Sequence, residues 1–243
     1  MSKLLRIIGI CICLGCFNPA TLYAEEKALR DECVIVLHGM GRTKYAMRKV
    51  EKELRGEGYT VWNQSYPSTK KSIEDLASEH IAKGLKVCRR AGARKIHFVT
   101  HSLGGILVRY YLQDNTIKNL DKIVMLSPPN KGSEIADNLR DLKVYQWMMG
   151  PAGQQLGTDA KSLSNKLDKI DATVGIITGK SSSDPWFSPF IPGEDDGKVS
   201  VQSAQLEEMT DFLVVEAGHT FIMSNRSVLE QIRHFLEEGT FKR

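Results

Sequence analysis

The stretch "KIHFVTHSLGGILVRYYLQD", residues 95–114, decides how this chain is read. It opens as a short run rich in apolar and β-branched side chains, the pattern of a buried strand. From Gly104 the sequence turns helical. Ser102 therefore stands where a strand hands over to a helix, with two glycines close behind it. A sharp turn of this kind lifts one side chain clear of the backbone, and small flanking residues make the turn possible. Gly104 lets the new helix pass close by. The Leu103 N–H, at the helix start, would point to where negative charge could collect beside the serine.

The same alternation continues in both directions. "CVIVLHGMGR" (33–42) reads as a buried strand and turn, and "TVWNQSYP" (60–67) as a second strand. Between them Met47, Val50 and Leu54 share one helical face. Ser72 can cap the helical pattern "SIEDLASEHIAKGLKVCRRAG", whose apolar face is Ile73, Leu76, Ile81, Leu85 and Cys88. "KIVMLSPP", "ATVGIITG" and "DFLVVEAG" add three strands, and "NRSVLEQIRHFLEEG" closes the chain with Val228, Ile232 and Phe235 inward. Strands alternating with helices predict an α/β fold: a mostly parallel sheet of about six strands, covered on both faces. Residues 130 to about 171 separate two strands by more than a crossover needs, and predict an insertion or lid over the top of the sheet. With no repeat or linker, 25–243 reads as one domain.

Residues 1–24 stand apart. "MSKLLR" is basic, "IIGICICLGCF" is apolar but short for a bilayer span, and "NPATLYA" ends in a small residue. This is the pattern of a secretory signal peptide cut after Ala24, and predicts an exported chain, periplasmic or secreted. An uncleaved anchor is one alternative. Lipidation at Cys16 is another, with Cys13 where such signals usually carry Leu. Without the segment, 31 basic residues face 29 acidic ones, a net +2 with no basic stripe, so no nucleic-acid partner is expected. Cys33 and Cys88 remain, either as a disulfide or as two buried thiols.

In their order along the chain, "VIVLHGMG", "THSLGG", "SPPNKGSEIAD", "DDGKVSVQSA" and "EAGHTF" resemble the α/β-hydrolase superfamily, and within it the bacterial lipase and esterase group. The resemblance covers nearly all of the chain after the leader, without the two early strands of larger members. It implies a catalytic triad of Ser102, Asp196 and His219, the superfamily's order. The N–H groups of Met40 and Leu103 would then form the oxyanion hole. The family's elbow is G-x-S-x-G, and here Thr100 takes the first position.

A serine hydroxyl needs a neighbouring base, and that base needs an acid to hold its tautomer. His219 follows a strand late in the chain and fits the base. His38 and His101 flank glycine turns and read as structural, His97 lies within a strand, and His80 and His234 lie on helices. Asp196 best matches the acid segment; Asp195 is adjacent, and Asp184, in "SSSDPWF", is the alternative acid. Trp147, Met148, Met149, Trp186 and Phe187 are candidates to line an acyl pocket, or to pack as the insertion's own core. No cofactor or metal is expected. The function implied is hydrolysis of carboxylic esters through an acyl-enzyme on Ser102, with an ester or lipid as substrate and peripheral contact with membrane lipid. An envelope-lipid deacylase or acyltransferase would use the same triad, and an inactive hydrolase-fold lipid- or protein-binding module is the alternative of a different class.

Overall fold

The computed structural model describes residues 29–182 and 187–243. Residues 1–24, where a signal peptide is expected, and Asp184 and Trp186 thus lie outside the described residues. Six strands form one sheet: β1 (Glu32–Leu37), β2 (Thr60–Asn63), β3 (Lys95–His101), β4 (Leu120–Leu126), β5 (Thr173–Gly179) and β6 (Asp211–Val215). Their order is β2-β1-β3-β4-β5-β6, and every neighbouring pair is parallel.

A parallel sheet must be covered on both faces, and β1 shows how its sequence meets that demand. Cys33, Ile35 and Leu37 join one apolar cluster, while Val34 and Val36 join the other. The first cluster is completed by α2 (Ile73–Leu76), α3 (Ala82–Arg90) and α4 (Leu103–Asp114). The second is completed by α1 (Arg48–Gly56) and α8 (Arg226–Glu238). The inward residues expected of α8, Val228, Ile232 and Phe235, are buried. The Ser72 hydroxyl caps α2 by accepting from the Asp75 N–H at 3.3 Å.

The single helix expected over 72–92 is interrupted. A π-helical turn, Ala77–Ile81, separates α2 from α3. Leu76, Ala77, His80 and Ile81 stay on the buried side across it. Cys33 and Cys88 are joined as a disulfide with Cα atoms 5.5 Å apart, which ties β1 to α3.

The insertion holds α5 (Glu134–Leu139), α6 (Lys143–Gln154) and α7 (Leu163–Lys166), with a break in α6 at Gly150–Pro151. Arg109 of α4 clasps its two ends: Nη1 donates to the Asn130 carbonyl at 2.9 Å and Nη2 to the Leu167 carbonyl at 3.3 Å. Among the described residues no helix is long and apolar enough to cross a membrane.

Candidate active site

In open parallel sheets the carboxyl ends of the strands are where loops converge to form sites. Here β1 delivers Met40, β3 delivers Ser102, and the loops after β5 and β6 deliver Asp196 and His219. Ser102 has φ 52° and ψ −121°. A non-glycine residue there carries strain on the order of 1–3 kcal/mol, which the surroundings must hold in place. Two backbone hydrogen bonds do so: the Ser102 N–H donates to the Leu126 carbonyl, and the Gly105 N–H donates to the Ser102 carbonyl, both at 2.9 Å. Gly104 explains the close helix, because a Cβ there would lie 2.9 Å from both Cβ and the carbonyl oxygen of Leu37. Thr100, the departure from the usual elbow, is fully buried, and its Oγ1 would be only 3.4 Å from a Cβ at Gly105. The tighter contacts of such a Cβ would be with Pro128 Cβ at 3.1 Å and Met125 Sδ at 3.3 Å, so Gly105 serves chiefly the approach of the segment after β4.

The acid and the histidine meet. His219 Nδ1 lies 2.9 Å from Asp196 Oδ2, and the His219 N–H donates to the Asp196 carbonyl at 2.8 Å. An ionised carboxylate only accepts, so Nδ1 carries the proton and the Nε2 lone pair is left for another partner. The other carboxylate oxygen, Oδ1, accepts from the N–H groups of Lys198 (3.0 Å) and Val199 (2.9 Å). Burial works against the charged form of Asp196, but the His219 ring and these hydrogen bonds outweigh it and hold the group below the usual aspartate range. Asp195 does different work, accepting from the Gly197 N–H and the Ser188 hydroxyl as part of the turn itself. Gly179, at the end of β5, makes the convergence possible: a Cβ there would sit 2.0 Å from the Ala217 carbonyl and 3.1 Å from Asp196 Cβ.

The N–H groups of Met40 and Leu103 have no acceptor on the protein among the described residues, so both remain available to an anion. The loop carrying Met40 is held by His38. Its Nδ1–H donates to the Gly39 carbonyl at 2.8 Å, and its Nε2 accepts from the Tyr66 N–H at 3.1 Å. The Tyr66 hydroxyl donates back to the His38 carbonyl, and the two rings stack at 3.9 Å. Burial lowers His38 to about 4, which keeps the ring neutral and able to accept. His101 is held neutral by its own burial and by the nearness of His219. Its Nε2–H donates to the His219 carbonyl at 3.0 Å, so it positions the histidine turn. His97 pairs instead with Glu32 at the far end of β1.

Ser102 and His219 line one cavity of about 160 Å³, together with Met40, Met149, Phe187 and residues of the insertion. A larger open groove of about 760 Å³, between Glu74, Arg140 and Asp159, contains neither of them. Two expectations for the pocket are corrected. Trp147 is 83% exposed and Met148 53% exposed, and neither lines the cavity. Tyr145 and Met149, one helical turn apart on α6, face inward, so the intervening Trp147 and Met148 are turned out. Ile135 and Leu139 of α5 share the inward-facing role at the same spacing. That i, i+4 pair was the signal in "SEIADNL" that could have found them.

The family described as "alpha/beta hydrolase fold" matches residues 32–152. Among solved structures, the chain is similar to a lipase of Bacillus licheniformis in its mature form, with a TM-score of 0.69 and 18% identity over 89% of this chain and 94% of that one. It is similar to the phospholipase PlaB of Legionella pneumophila, with a TM-score of 0.63 and 18% identity over 84% of this chain and 57% of that one. It is also similar to a monoacylglycerol lipase of Paleococcus ferrophilus, with a TM-score of 0.54 and 17% identity over 88% of this chain and 95% of that one. At these identities the likeness is one of fold. No curated protein matches the sequence.

Proposed function

We propose that this chain, which matches the α/β-hydrolase fold family over residues 32–152 and shares the fold of a bacterial lipase, is an exported, lipase- or esterase-like serine hydrolase that cleaves carboxylic esters. The observation that carries the reading is the Asp196–His219 pair, at 2.9 Å, opening onto the same cavity as a serine held in the left-handed region. The likeness in fold to the lipase, phospholipase and monoacylglycerol lipase named above supports the same class.

Ser102 Oγ attacks the ester carbonyl as His219 Nε2 takes its proton. The carbonyl oxygen, now negative, is stabilised by the Met40 and Leu103 N–H groups. His219 returns the proton to the departing alcohol, and the C–O bond breaks to leave an acyl group on Ser102. Water, activated by the same histidine, then releases the acid. Asp196 keeps the proton on Nδ1 throughout and stabilises the imidazolium that forms twice per turnover.

Two features support the cellular setting. The leader at 1–24 supports export, and the Cys33–Cys88 bond suits an oxidising compartment. The exposed Leu142, Val144, Trp147 and Met148 support peripheral contact with a lipid surface. A panel of p-nitrophenyl esters of increasing chain length tests the activity: the wild type hydrolyses them and Ser102→Ala does not. A folded Ser102→Ala that retains hydrolysis would overturn the mechanism.

A further inference from the structure

Among the described residues that line the cavity at Ser102, two are cationic, Arg42 and Lys198, and none is a carboxylate. Arg42 lies two residues beyond Met40, in the loop that follows β1, and Lys198 lies two residues beyond Asp196, in the loop after β5. In the sheet order β1 and β5 stand on either side of β3, whose end carries Ser102, so the loops that carry Arg42 and Lys198 come from either side of the serine's own strand.

Arg42 is placed there by its backbone. Its N–H donates to the Gly39 carbonyl at 3.3 Å, and the neighbouring Gly41 N–H donates to the Ser68 hydroxyl at 3.0 Å. No carboxylate among the described residues lies within ion-pairing distance of the Arg42 guanidinium. Its charge is nevertheless felt inside the site, where it disfavours protonation of the buried His101. The insertion contributes the apolar Ile135, Leu139, Met149 and Leu156, beside Ser133 and Tyr145, whereas both cations come from the sheet-end loops. One side of the cavity suits an acyl chain and the other suits an anion.

We propose that the substrate is an acyl ester whose alcohol part carries a phosphate or carboxylate, held by the Arg42 guanidinium while the acyl chain lies against the insertion. A planar guanidinium offers paired donors to either oxyanion, and such charge-assisted bonds are among the stronger polar contacts. The inference rests on the serine-hydrolase reading above and narrows its substrate.

The test compares three short-chain esters of the same fatty acid, all below their critical micelle concentrations: the glycerol ester, its glycerophosphate analogue, and the ester of lactate. The full-length mature protein is used, with Arg42→Gln and Arg42→Glu alongside. In the wild type kcat/KM is expected to favour at least one anionic ester over the neutral one by about tenfold, the scale of a hydrogen bond to a charged group. Arg42→Gln should erase most of that ratio, mainly through KM, and Arg42→Glu should invert it. Because Arg42 is exposed, raising salt to about 1 M, where charges are screened beyond roughly 3 Å, should bring the wild-type ratio toward one. Whether phosphate or carboxylate is favoured identifies which anion the site is built for. Equal hydrolysis of all three esters, or a ratio untouched by Arg42→Glu, overturns the inference and leaves the hydrolase reading standing. No hydrolysis of any ester overturns both.

Discussion

The Cys33–Cys88 disulfide offers a perturbation whose size follows from the fold. The bond closes a loop across a sequence separation of 55 residues. In the chain-entropy model such a loop removes about 14 cal/mol/K from the unfolded ensemble, or about 4 kcal/mol at 25 °C. For a domain of this size that corresponds to a fall in Tm on the order of 10 °C on reduction. Both sulfurs are fully buried, so reduction proceeds through unfolding, and the comparison is between oxidised protein and protein refolded with TCEP. Activity should respond differently. Cys33 lies near the start of β1 and the site at its far end, four residues away at about 3.3 Å each, roughly 13 Å. Ester hydrolysis per folded molecule should therefore be unchanged while the urea midpoint falls. Two reactive thiols in the unfolded, unreduced protein would refute the bond itself. An unchanged midpoint with two thiols proven free by mass would refute the entropic argument.

Two further outcomes follow from the geometry. Asp196→Asn puts an amide where the Nδ1–H of His219 now finds a carboxylate. It should lower kcat on the order of 10⁴-fold with the far-ultraviolet spectrum intact, and a variant of wild-type activity would remove Asp196 from the triad. The second concerns acid. Burial lowers His38 from 6.5 to about 4, so between those values the unfolded chain holds a proton that the folded chain refuses. Stability is then full above about pH 6.5 and falls as pH drops toward 4, by on the order of 3 kcal/mol from this group. The buried His101, also held low, acts in the same direction. Urea midpoints across that window should show the loss, and a shallower slope is expected in His38→Asn; a slope identical to wild type would exclude His38 as a source.

The sheet was legible in the sequence because both of its faces are buried. Strands such as "CVIVL" then read as unbroken apolar runs, and helices between them show a 3.6-residue period. The junction at Ser102 was legible for a related reason: a strand, a serine and two glycines in a row leave few conformations open. The convergence on it was harder to see. Nothing local distinguishes Asp195 from Asp196. The difference lies in a turn in which one carboxylate closes on the Gly197 N–H and the other meets a histidine 23 residues away. Gly179 looked like the plain end of a strand, although it is the residue that lets the Asp196 loop and the histidine turn share one space. Trp147 and Met148 drew attention by size and hydrophobicity, but the phase of α6 decides which face meets the cavity, and that phase is set by Tyr145 and Met149. The π-helical turn at Ala77–Ile81 escaped for a similar reason, because one extra residue per turn leaves the spacing of apolar positions nearly unaltered.

The mechanism is tested most directly by asking whether Ser102 is an activated nucleophile. Purified mature protein is treated with a fluorophosphonate, and the product is read by intact mass and peptide mapping beside Ser102→Ala. One adduct per molecule is expected, on Ser102, and none on the variant. A folded wild type that stays unlabelled, in buffer and again in detergent, would contradict it.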